Sequence, residues 1–102
     1  MAITQTAVGT SATTVFTSVN NMATTALFFM NDNASARDLT IHVVKSGASA
    51  AATNVIVKAI TVNGGDTYVV NTEKLVLANG DTIQASATAA SSIYATVSAV
   101  SI

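Results

Sequence analysis

Lys74-Leu75-Val76-Leu77-Ala78-Asn79-Gly80-Asp81-Thr82-Ile83-Gln84-Ala85-Ser86-Ala87 reads as two strands around a turn. A Leu-x-Leu pattern before Asn79-Gly80 and an Ile-x-Ala-x-Ala pattern after it both have period two, and Asn-Gly is the dipeptide that most readily takes the positive φ values of a tight type I′ turn. The spacing predicts a β-hairpin over 74–87. Period-two alternation with the same β-branched bias extends through the rest of the chain: 16 Thr, 13 Val and seven Ile make up over a third of the 102 residues. In Asp38 to Val44, Leu39, Ile41 and Val43 alternate with Asp38, Thr40 and His42. Ile93 to Ile102 sets Ile93, Ala95, Val97 and Ala99 against Tyr94, Thr96, Ser98 and Val100.

Further strands are expected near Ile3 to Val8, Thr13 to Ser18, Ala23 to Asn31, Asn54 to Thr61 and Thr67 to Val70. Turn residues fall between them at Gly9 to Ser11, Asn33 to Arg37 and Asn63-Gly64-Gly65-Asp66. About eight or nine short antiparallel strands at this spacing predict an all-β, single-domain β-sandwich or jelly roll over residues 1–102. Residues 46–53, Ser-Gly-Ala-Ser-Ala-Ala-Ala-Thr, carry no periodic large side chain and read as a protruding small-residue loop, with one helical turn at the three Ala as the alternative. Residues 1–9, with Ile3 and Val8 on an otherwise polar stretch, are a candidate N-terminal arm.

Composition narrows the function more than any motif does. There is no Cys, Pro or Trp, one His and nine charged side chains, while 45 positions are Ala, Thr or Ser. Catalysis and metal binding use groups that titrate, coordinate or attack, so the expectation is no enzyme, no catalytic residue, no metal and no cofactor. His42 has no second His or Cys to share a zinc ion, and Asp32, Asp38, Asp66 and Asp81 read as turn residues accepting backbone hydrogen bonds. Gly64-Gly65 lacks the lysine of a phosphate-binding loop. A net charge of −1 gives no basic stripe for nucleic acid, and the longest apolar run, Ala26 to Met30, is too short for a bilayer. The first residues lack a signal peptide's basic and apolar regions, which implies synthesis in the cytoplasm.

What remains is a surface. Small β proteins guard their open edges with Lys, Pro or bulges, and three Lys with no Pro leave little to distribute. The edges are therefore expected to be occupied, by strands of neighbouring copies or by terminal arms. In Ala23 to Asn31, Phe28 and Phe29 must point to opposite faces, so the strand is either covered on both sides within the monomer or presents one ring to a partner. The candidate interface residues are Ile3, Val8, Phe28, Phe29, Tyr68 and Tyr94.

The stretch Val55 to Ile60, Asn63-Gly64-Gly65, Glu73 to Ala87 and the closing Ala95-Thr96-Val97-Ser98 resembles small virion proteins of tailed bacteriophages, as does Leu27 to Val44. Those proteins share a Leu-x-Leu strand, a Gly-Asp hairpin, an Ile-x-Ala-x-Ala strand and a final Val-Ser strand, and the likeness runs from about residue 4 to the end. It implies a β-sandwich accessory subunit in the virion: a decoration or cement protein that binds the major capsid protein and copies of itself, a homo-oligomer such as a trimer, and it supplies no catalytic residue. The charged, proline-containing segment that such proteins carry before Gly-Gly is absent here. A tail, neck or fibre-base component therefore stands as the alternative, ahead of a receptor- or carbohydrate-binding module using Tyr68 and Tyr94.

Overall fold

The alternation produces nine strands. In a computed structural model, which describes residues 2–72 and 74–102, they are β1 (Ala2–Ala7), β2 (Thr13–Thr17), β3 (Met22–Asn31), β4 (Arg37–Val44), β5 (Val55–Val62), β6 (Thr67–Val70), β7 (Val76–Leu77), β8 (Thr82–Ala87) and β9 (Ile93–Ser101). Met1 of the candidate arm and Glu73, at the start of the 73–87 stretch, lie outside the described residues. Residues 46–53 are a loop, as expected, that ends in a single 3-10 turn over Ala52–Asn54.

Two antiparallel sheets face each other. The first has the order β1-β9-β3-β6, with β7 pairing the start of β3, and the second has the order β2-β8-β4-β5. The first half of the chain thus pairs with the second half in reverse: β1 with β9, β2 with β8, β3 with β6 and β7, β4 with β5. With β6 and β7 counted as two pieces of one broken strand, this is the eight-stranded order of a jelly roll.

The hairpin expected over 74–87 does not form. β7 belongs to the first sheet and β8 to the second, so Ala78 to Asp81 carries the chain across the sandwich. The turn closes with Asp81 N–H on the Ala78 carbonyl, and Gly80 has φ +86° while Asn79 stays in the negative region. Only the second central residue is left-handed, which is a type II arrangement that splays its flanking strands where type I′ would pair them. The Asn63 to Asp66 turn likewise moves the chain from β5 to β6 in the other sheet. It packs tightly: a Cβ at Gly64 would sit 2.3 Å from the Ala34 carbonyl oxygen.

The core lies between the sheets. The inward sets are Leu27 and Phe29 of β3, Leu39 and Ile41 of β4, Ile83 and Ala85 of β8, and Ile93, Ala95, Val97 and Ala99 of β9, all buried. Each large side chain removed from water in this way contributes about 1.5 to 3 kcal/mol. Val8 is also fully buried, and residues 2–7 form β1 in an unbroken register with β9. Instead of extending as an arm, residues 2–8 complete one edge of the first sheet, because Thr4, Thr6 and Val8 share the inward parity of a strand.

Four polar side chains are buried among the described residues: Ser18, Thr24, Asn31 and Ser92. Asn31, at the end of β3, is fully buried, and its amide nitrogen donates to the carbonyls of Ser35 and Val62 at 2.9 Å each while its oxygen accepts the Asn33 N–H at 2.9 Å. Its backbone meets the Asn63 to Asp66 turn through Asp66 O and Gly65 N–H. A single asparagine thereby ties together three chain segments, with all its bonding groups satisfied.

Candidate assembly surface

The outward parity of β1, β9, β3, β6 and β7 defines one continuous face. Strand register places Ala7, Tyr94, Met30 and Thr67 in one row across the sheet and Gln5, Thr96, Phe28 and Val69 in the next. Ile3, Ser98 and Ala26 follow, and Val100, Ala23 and Val76 close the far end. Among the described residues, none of these outward positions is charged. Among the described residues, six of the nine exposed large apolar side chains lie here: Ile3, Phe28, Met30, Val69, Val76 and Tyr94. Phe28 is 39 % exposed and Val76 71 %, on strands whose inward neighbours are sealed.

The opposite face of the sandwich is different in kind. Thr14, Gln84 and His42 form one row, with Thr17 beside Thr82, Thr40 beside Ser86 and Asp38 beside Thr61. Several of those groups bond one another or nearby loops. Thr61 donates its hydroxyl to Asp38 at 2.9 Å, and Thr40 Oγ1 accepts the N–H of Ala59, which is freed at a bulge where Ala59 has φ +51°. His42 Nδ1 lies 2.8 Å from Asn54 Oδ1. That amide oxygen also accepts the Ala51 N–H and its nitrogen donates to Ser49, so the imidazole is the donor and the trio pins the 46–54 loop to β4.

The Asp81 carboxylate has a lowered pKa. It accepts backbone N–H groups from Ser46 at 3.0 Å and Ala78 at 2.9 Å, and these bonds, helped by the nearby Lys45 charge, hold it below the usual carboxylate range. It thereby serves the turn chemistry expected of it and also staples the 45–47 corner to the 78–81 turn. Among the described residues no three His, Cys, Asp or Glu side chains converge as a metal site would require.

The six candidate interface residues separate cleanly. Ile3, Phe28 and Tyr94 lie on the uncharged face. Val8 and Phe29 are fully buried core residues and are corrected accordingly: no contact made by the folded domain reaches them. Tyr68 is half-buried, and together with Ile56, Val57, Val70 and Leu75 it lines a groove of about 340 Å³ between the β5 and β6 edges. Of the two readings of β3, the structure gives a strand central in its sheet but covered on one side only. Met30, Val69 and Val76 join the face without having been singled out from the sequence; the i+2 spacing from Phe28 to Met30 held that signal, whereas Val69 and Val76 became neighbours of β3 only through sheet pairing. Compared with known proteins, the chain matches no family model, no curated sequence and no solved structure.

Proposed function

We propose that this protein is a structural virion subunit, a decoration or cement protein that binds the outer surface of a phage head in many copies and strengthens contacts between major capsid subunits. The observation that supports it best is the uncharged outer face of the β1-β9-β3-β6 sheet, where six exposed large apolar side chains gather on a rigid scaffold. A face of this kind is a contact surface by composition: contiguous exposed apolar side chains mark interaction sites, and interface cores are depleted of charge. The resemblance of the sequence to small virion proteins supports reading that surface as one that meets a capsid.

Quantitative mass spectrometry of purified particles from the source that encodes the chain tests the reading. Hundreds of copies per particle are the expected result. Six or twelve copies would move the protein to the tail or neck, and its absence from particles would overturn a virion role.

A further inference from the structure

The two sheets have four open edges between them, and three of these are blocked. β2 has a register break between Thr14 and Phe16, and the Val15 carbonyl there accepts the Thr4 hydroxyl at 2.7 Å. β5 has two register irregularities against β4, the left-handed Ala59 and the exposed Lys58. The β6 and β7 edge is interrupted between Val70 and Val76, and Lys74 Nζ there donates to the carbonyls of Thr25, at 2.7 Å, and Asn71. Bulges, lysines and interruptions are the devices that stop strands from adding to a sheet.

β1 has none of them. Its six residues, Ala-Ile-Thr-Gln-Thr-Ala, pair with β9 without a shift and carry no charge. The Val8 N–H bonds the Ile93 carbonyl at 2.8 Å, which fixes the phase of the ladder. By antiparallel alternation Thr4 and Thr6 then bond β9, and the N–H and C=O groups of Ile3, Gln5 and Ala7 point away from it, off the edge of the sheet.

We propose that this edge pairs with the same edge of a second copy, antiparallel, about a two-fold axis at Gln5; the inference rests on the assembly reading above and names the contact between copies. The edge is self-complementary in that register. Gln5 faces Gln5 of the other copy and Ile3 faces its Ala7, so six backbone hydrogen bonds form, a large side chain lies beside a small one and no charge meets a like charge. Such a two-fold contact uses the same patch on both copies. It also joins two uncharged faces into one eight-stranded surface roughly 38 Å wide at ~4.8 Å per strand, a far larger platform for a capsid than one sheet offers.

Sedimentation equilibrium of the full chain, from micromolar to millimolar concentration, tests the pairing, because an edge contact alone is small and needs high concentration to fill. The native chain is expected to dimerise. Gln5→Lys places two ammonium groups across the axis and weakens the dimer by roughly fivefold or more, Gln5→Glu does the same, and mixing the two restores association. Gln5→Cys in this cysteine-free chain is expected to yield a disulfide-linked dimer on oxidation, since hydrogen-bonded partners lie about 5.5 Å apart at Cα, within disulfide reach; Val69→Cys, at the opposite edge, is not. A native chain that stays monomeric throughout, or a Gln5→Lys variant that dimerises as the native chain does, would overturn self-pairing. If a monomeric native chain loses its place on particles through Gln5→Lys, the edge belongs to a strand of another protein and self-pairing is again overturned. If the dimer forms as stated but purified particles lack the chain, the pairing stands and the virion role falls.

Discussion

Replacing Asn31 by Ala is expected to be among the most damaging single changes away from the large core residues. The side chain makes three hydrogen bonds, to Ser35, Val62 and Asn33, and the Val62 contact is wholly buried. At about 1 kcal/mol net for each bond, plus about 1 to 3 kcal/mol for leaving the Val62 carbonyl unsatisfied, the cost is about 4 to 6 kcal/mol. Against a total of about 5 to 15 kcal/mol for a domain of this size, that removes a large share of the stability. Urea unfolding at neutral pH reads it as a fall in midpoint of roughly 2 M with an unchanged slope. Asn31→Asp sharpens the test. Its carboxylate keeps the Asn33 N–H but turns a second oxygen toward the two carbonyls, so burial and repulsion raise its native pKa above the unfolded value. The penalty is then complete above that raised value and shrinks as pH falls through it, so this variant gains on the parent in acid. A loss below about 1 kcal/mol for Asn31→Ala, or a pH-independent gap for Asn31→Asp, would refute the reasoning.

Phe29→Ala removes a ring with no exposure and should cost about 3 to 5 kcal/mol, lowering the melting temperature by more than about 12 °C, whereas Phe28→Ala, two-fifths exposed, should leave it within a few degrees. Equal shifts for the two neighbours in a calorimetric scan would contradict the assignment of faces. Asp81, whose native pKa is lowered, contributes stability that is full above the ordinary carboxylate value and is lost as pH falls through the depressed one. Asp81→Asn should therefore flatten the acid limb of a plot of urea midpoint against pH below about pH 4, and parallel limbs for variant and parent would count against the staple.

Local pattern was legible wherever one side chain decides one position. Thr67–Val70 and Thr82–Ala87 were readable to the residue, and the others to within two, because burial on one face imposes period two. The split of Phe28 from Phe29 follows from the same rule. Pairing was not legible, since it depends on which strands meet. Asn79-Gly80 has the composition of a hairpin, yet its φ values are set by β7 joining β3 and β8 joining β2 and β4 in the other sheet. Residues 1–9 looked like an arm because Ile3 and Val8 stand alone in a polar stretch, but Thr4 and Thr6 can share an inward face with Val8 once Thr4 finds the Val15 carbonyl. Asn31 looked like any strand-end asparagine; its three acceptor and donor partners come from segments up to 31 residues away. The assembly face emerged in part, through Ile3, Phe28 and Tyr94, and its uncharged extent became visible only when five strands were placed side by side.

The most direct measurement is co-sedimentation with particles stripped of this chain, comparing the native protein with Phe28→Lys and Gln84→Lys in low and high salt. Both variants place a charge at an outward strand position, one on the uncharged face and one on the polar face. Native protein and Gln84→Lys are predicted to bind alike and nearly independently of salt, because the contact contains few ion pairs to screen. Phe28→Lys is predicted to fold with a near-native melting temperature and fail to bind. Full occupancy by Phe28→Lys, or binding by the native chain that disappears at high salt, would contradict an apolar contact through this face.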